Sequence, residues 1–118
     1  MDQRIQLVTA LMKEDICLDR SFTELARAVN LSPSRLRHLF KLEVGLSPAQ
    51  YIRVLRMQKA KELLESTFLN IKEIMNMVGI KDNSHFNKNF KDMFGLTPSQ
   101  CRARHSRDDV SKTLVLNK

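Results

Sequence analysis

A chain of 118 residues suffices for one ordinary domain, or for two very small subdomains sharing a core. A hydrophobic content of 42% can pack an interior, and three Gly, three Pro and a wealth of Ala, Leu, Met, Lys, Glu, Gln and Arg favour helix over sheet. The net charge of +7 points to an acidic partner, nucleic acid being the commonest, or to a basic surface kept for solubility.

The first element is a helix over about 2–13, with Ile5, Val8 and Met12 on one face and Leu7 and Leu11 beside them. This start has no basic region followed by an apolar one, so no signal peptide is expected, and no stretch approaches the roughly 20 apolar residues of a membrane span. "EDICLDRS" reads as a connection. Ser21 and Glu24 have the spacing of a capping box and open a second helix, with Leu25, Ala28 and Val29 facing inward. Asn30 suits the left-handed turn that ends it. Ser32-Pro33 opens a third helix with Leu36, Leu39 and Phe40 as its apolar stripe, and Gly45 closes it. Ser47-Pro48 opens a fourth, over about 48–66, with Tyr51, Ile52, Leu55, Ala60, Leu63 and Leu64 on one side and Arg53, Arg56, Lys59 and Lys61 on the other.

The grammar then repeats. Asn70 and Glu73 form a second capping box, and Ile74, Met77 and Val78 match Leu25, Ala28 and Val29 at an offset of 49. Gly79 takes the place of Asn30. One extra residue makes the offset 50, matching Asp82 to Ser32, Phe86 to Leu36, Phe90 to Phe40, Gly95 to Gly45 and Thr97-Pro98 to Ser47-Pro48. "FKLEVGLSPAQ" (40–50) and "FKDMFGLTPSQ" (90–100) share six of eleven residues. A last helix is expected over about 98–107, then a frayed tail, 108–118. The pattern predicts an all-α fold of seven helices: two helix-turn-helix units, about 21–45 and 70–95, joined by a long linker helix. Two copies are too few for a solenoid.

A helix-turn-helix presents its second helix to the DNA major groove. In the first unit Ser34, Arg35, Arg37, His38 and Lys41 are left outside, and Arg suits bidentate bonds to guanine. Arg37, one turn inside the helix and read as opposite Leu39 and Phe40, is the first choice for base contact. In the second unit Phe86 and Phe90 point inward with Met93 one turn on, leaving Asn83, Ser84, His85, Asn87 and Lys88 outside; Asn can read adenine. Residues 32–44 carry Arg35, Arg37 and Lys41 against Glu43, net +2, whereas 82–94 carry Lys88 and Lys91 against Asp82 and Asp92, net zero. The first unit is therefore the expected stronger DNA contact.

Other classes have less behind them. A protein-interaction module with merely soluble basic faces remains the alternative. No Gly-rich phosphate loop and no nucleophile with a neighbouring base marks an enzyme. RNA recognition needs stacking aromatics, and every Phe is read as falling at core spacing. Cys17 and Cys101 form no CxxC pair and fit a reducing cytosol; His38, His85 and His105 stand far apart, so neither metal nor cofactor is expected.

"VGIKDNSHFNKNFKDMFGLTPSQCR" closely resembles the signature of the AraC/XylS family of bacterial transcription regulators, and the resemblance spans roughly 3–107. It implies a seven-helix DNA-binding domain that reads successive major grooves of double-stranded DNA on one side of the duplex. It also implies a cytoplasmic location and RNA polymerase as a further partner. By position, the base-reading residues it implies are Ser34, Arg37 and His38, then Asn83, Ser84, His85, Asn87 and Lys88. Cys101 departs from the usual aromatic and Asn76 from the usual Ala. Members often carry a separate sensor domain, so the chain reads either as a stand-alone regulator or as part of a longer one.

Overall fold

The structure is a computed structural model in which residues 1–18 and 20–105 are described. Among them all regular structure is helical: α1 (Gln3–Glu14), α2 (Phe22–Ala28), α3 (Pro33–Val44), α4 (Pro48–Ser66), α5 (Ile71–Met77), α6 (Asn83–Phe94) and α7, helical over 98–105. The expected end of α7 near Arg107 and the tail 108–118 lie outside the described residues. The chain forms two compact units, Met1–Arg56 and a second starting at Met57, so the boundary falls inside α4.

Local chemistry sets every boundary of the repeat. Ser32 Oγ accepts from Arg35 N at 3.1 Å and Asp82 Oδ1 from His85 N at 2.9 Å, so α3 and α6 each begin on a side-chain cap. Each ends at a left-handed glycine, Gly45 at φ 87° and Gly95 at φ 79°. The turn between the two helices of each unit is a Schellman motif. Leu31 N donates to Ala26 O and Asn30 N to Arg27 O; Ile80 N donates to Met75 O and Gly79 N to Asn76 O. Asn30, at φ 58°, supplies the left-handed residue that Gly79 supplies in the second unit.

The repeated phrase also contains two capping boxes that its Ser-Pro and Thr-Pro pairs only half announce. Gln50 N donates to Ser47 Oγ at 3.2 Å and Ser47 N to Gln50 Oε1 at 3.0 Å. Thr97 and Gln100 make the same pair of bonds at 3.2 and 3.0 Å. Asn70 and Glu73 form the expected box, whereas Ser21 makes only the hydroxyl half, accepting from Glu24 N at 3.2 Å.

In the first unit Ile5, Val8, Met12, Leu25, Ala26, Val29, Leu36, Phe40 and Ile52 form the buried core. Phe40 meets Tyr51 edge-on, ring centroids 5.4 Å apart. In the second, Met57, Ala60, Leu63, Leu64, Ile74, Met75, Val78, Phe86, Phe90 and Cys101 are buried. Phe86 and Phe94 flank Phe90 at 6.0 and 4.7 Å.

Four expectations need correction. Ala26 and Met75 are buried, while Ala28 is exposed and Met77 is 50% exposed. Relative to Leu25, Ala26 lies about 100° and Val29 about 40° around the helix, but Ala28 about 60° the other way. The core therefore takes the arc that includes Ala26. On α6, Phe94 packs against the Phe90 ring at 4.7 Å and is half-buried, whereas Met93 is exposed. Finally, Phe68 is fully exposed, so not every Phe serves the core. Of the two departures from the family pattern, Asn76 is exposed, and Cys101 is buried beside a cavity of about 320 Å³.

Phe68 is out in solvent because its loop is held by the backbone. The Arg102 guanidinium donates to Leu64 O at 3.3 Å, to Thr67 O at 3.2 Å and to Leu69 O, closing the exit of α4.

Phe40 and Phe90 are both fully buried. Phe40→Ala and Phe90→Ala are each expected to lower stability by about 3–5 kcal/mol, read as a fall in urea midpoint. An unchanged midpoint for either would mean that its side chain is not in the core.

Candidate nucleic-acid interface

Anchoring Leu36 and Phe40 inward fixes the rotation of α3. Ser34, His38 and Lys41 then lie about 140–200° around the helix from Leu36, in one stripe opposite the core. Arg35 and Arg37 flank that stripe. All five are exposed. On α6 the same construction places Ser84, Lys88 and Lys91 opposite Phe86 and Phe90, with His85 and Asn87 as flanks. Asn83 opens the helix. Asn83, Ser84, His85, Lys88 and Lys91 are exposed and Asn87 is half-buried.

Lys91 is the residue that reading the sequence left out. The signal was present: it stands 50 positions after Lys41.

An open groove of about 720 Å³ in the first unit brings Ser34, Arg37, His38 and Lys41 together with Leu42 and Ser47. Among the described residues no acidic one lines it, and cations beside hydroxyls on an open face suit a phosphate backbone and base edges. Arg35 does not line it. Arg37 is not opposite the core face as expected. It lies on the flank, and its guanidinium sits over the Phe22 ring at 4.9 Å.

Several other cations are committed within the protein. Arg56 Nε donates to Ile16 O at 2.7 Å, and Arg102 is bound to three carbonyls. Lys59 pairs with Glu62 at 3.5 Å; Lys61 pairs with Glu65 at 3.7 Å and lies over Phe94 at 5.2 Å. The basic side of α4 is thus partly spent on packing and neutralised by neighbours.

Two tandem helix-turn-helix units with matching caps, turns and exposed stripes define a double helix-turn-helix domain. A family model described as a helix-turn-helix domain matches residues 25–104. The chain is 42% identical over 79 residues to the Msm operon regulatory protein of Streptococcus mutans, covering 67% of this chain and 28% of that protein. It is 34% identical over 105 residues to the arabinose operon regulatory protein of Escherichia coli, covering 87% of this chain and 36% of that one. The C-terminal domain of AraT, a response regulator from Geobacillus stearothermophilus, superimposes with a TM-score of 0.79 at 31% identity, over 87% of this chain and 86% of that one. The chain belongs to the AraC-type helix-turn-helix family. It spans 26% to 36% of the length of the first curated relatives it matches. No helix among the described residues is long and apolar enough to cross a membrane.

The hydrogen bond from His85 N holds the Asp82 carboxyl below its ordinary value of 3.8. A depressed folded pKa means that the cap's contribution is fully present above the unfolded value and lost as pH falls through the folded one. Asp82→Asn keeps an acceptor at the cap without a titrating group. The acid limb of its stability–pH curve, followed by helical circular dichroism, is expected to be shallower than that of the unsubstituted chain. Identical limbs would show that Asp82 does not couple α6 to pH.

Proposed function

We propose that this chain is the DNA-binding domain of a transcription regulator, with α3 and α6 as its two recognition helices. The observation that carries this reading is the recurrence of one outward stripe, Ser34, His38 and Lys41 on α3 and Ser84, Lys88 and Lys91 on α6. Each stripe lies opposite a buried Phe pair or Leu–Phe pair, within a fold whose family acts on operons. Ser hydroxyls and Lys ammonium groups suit phosphates, while His38, His85, Arg37, Asn83 and Asn87 can reach base edges. Double-stranded DNA is the partner this reading requires, and RNA polymerase is the partner that family membership adds. The role is binding rather than catalysis.

The two faces differ in chemistry, so a monomer should prefer a non-palindromic site. Binding by both units to adjacent major grooves, about 34 Å apart, is the arrangement this reading requires. Selection of bound duplexes from a random pool tests the whole proposal. It should return one site of about two turns, with affinity falling steeply as salt rises. A pool without enrichment would refute it.

On the selected site, Arg37→Ala is expected to lose about 1–3 kcal/mol and to relax one base position. Equal weakening on every sequence would make Arg37 a phosphate contact instead. Inserting five base pairs between the two half-elements, half a helical turn, should reduce affinity to that of one unit alone. Full tolerance of the insertion would mean that the units bind independently.

A further inference from the structure

We propose that the first unit contains a binding site for a small amphiphilic carboxylate, an alkyl chain ending in one anionic group. The site is a cleft of about 330 Å³ bounded by α1, α2, α3 and the start of α4. Met12, Leu25 and Ile52, at 2%, 3% and 6% exposure, supply buried apolar wall, and the half-buried Leu18 and Phe22 add to it. Its volume lies at the small end of the roughly 300–1,000 Å³ of ligand clefts. At about 30 Å³ per water-sized group, it holds on the order of ten heavy atoms, the size of octanoate. Apolar walls of this kind hold water poorly and accept hydrocarbon.

Among the described residues, Arg37 and Ser47 are the only polar side chains lining the cleft, and none of the lining residues is acidic. Ser47 Oγ already accepts from Gln50 N, which leaves its O–H to donate. The Arg37 guanidinium lies over the Phe22 ring, and both residues line the cleft. A guanidinium and a hydroxyl donor beside hydrocarbon walls match a carboxylate on an alkyl chain; an alcohol would leave the charge unanswered and a cation would be repelled. Arg37 also lines the open groove with Ser34, His38 and Lys41. Arg37, Ser47 and Pro48 thus line both surfaces, and Arg37 is the charged one among them. A carboxylate that binds Arg37 withdraws it from the DNA-facing groove, and ligand and DNA compete. The competition rests on the DNA-binding reading above, whereas occupancy of the cleft does not.

Nuclear magnetic resonance of the full chain with methyl-labelled methionine tests occupancy directly, because of six methionines only Met12 lines the cleft. Titration with octanoate should move the Met12 methyl. Affinity should rise about fourfold per added methylene from hexanoate to octanoate. Octanoate should bind at least about tenfold more tightly than octanol, a margin set by the charged hydrogen bond. In Arg37→Gln that preference should vanish while the chain-length trend persists. Ala49→Phe, at an exposed position lining the cleft, should lose octanoate. A stationary Met12 methyl, no preference for acid over alcohol, or undiminished binding in Ala49→Phe would overturn the site. On the selected duplex, octanoate should weaken binding by the unsubstituted chain and leave Ala49→Phe unaffected. Occupancy without any loss of DNA affinity would overturn the competition, while failure to bind any duplex would count against the DNA reading alone.

Discussion

The burial of one phenylalanine at the same point of each recognition helix, Phe40 and Phe90, is the constraint on which the other features rest. A helix free to roll about its axis has no outward face. Once Phe40 and Leu36 are held in the first core, and Phe90 and Phe86 are buried in the second unit, the rotation of α3 and α6 is set. The polar stripe then follows from the helical repeat. The two units reach this result with different materials. The first surrounds Phe40 with aliphatic residues and the edge of Tyr51, while the second runs a ladder of Phe86, Phe90 and Phe94 along α6.

Charge is distributed less simply than the net value suggests. Arg56 and Arg102 each turn a guanidinium onto backbone carbonyls, work that Lys, with its compact ammonium, could not do over three acceptors. Lys59 and Lys61 are paired along α4. α3 keeps Arg35, Arg37 and Lys41 exposed, and α6 keeps Lys88 and Lys91 exposed. There the first unit keeps its net +2 and the second balances Lys88 and Lys91 against Asp82 and Asp92. The two units therefore offer a phosphate backbone different fields, even though their helix caps and turns match.

Most of the fold was legible in the sequence because helix ends here are written in local chemistry. Ser32, Asp82, Asn30, Gly79, Gly45 and Gly95 act on their own neighbours, and each sits where the pattern put it. The outward residues followed from the same spacing. What escaped depends on contacts outside the local chain. Periodicity could not choose between Ala26 and Ala28, nor between Met75 and Met77, on helices of seven residues, where two turns do not define an arc. Nor could it show that Arg37 folds over Phe22, 15 positions earlier, or that Arg102 reaches back to Leu64. Phe68 was misread because its exposure is set by a loop, which has no period. Lys91 was missed although the repeat itself marked it.

The Arg102 fork has a temporal consequence. The first unit ends at Arg56, so all of its contacts exist once the chain has been synthesised to that point. The second unit cannot close the exit of α4 until Arg102, 33 residues beyond Leu69, has emerged. Domains generally complete themselves in the order in which they leave the ribosome. Here the first unit would be packed while α4 still trails an open end, and the second would be fastened by one of the last described side chains to appear.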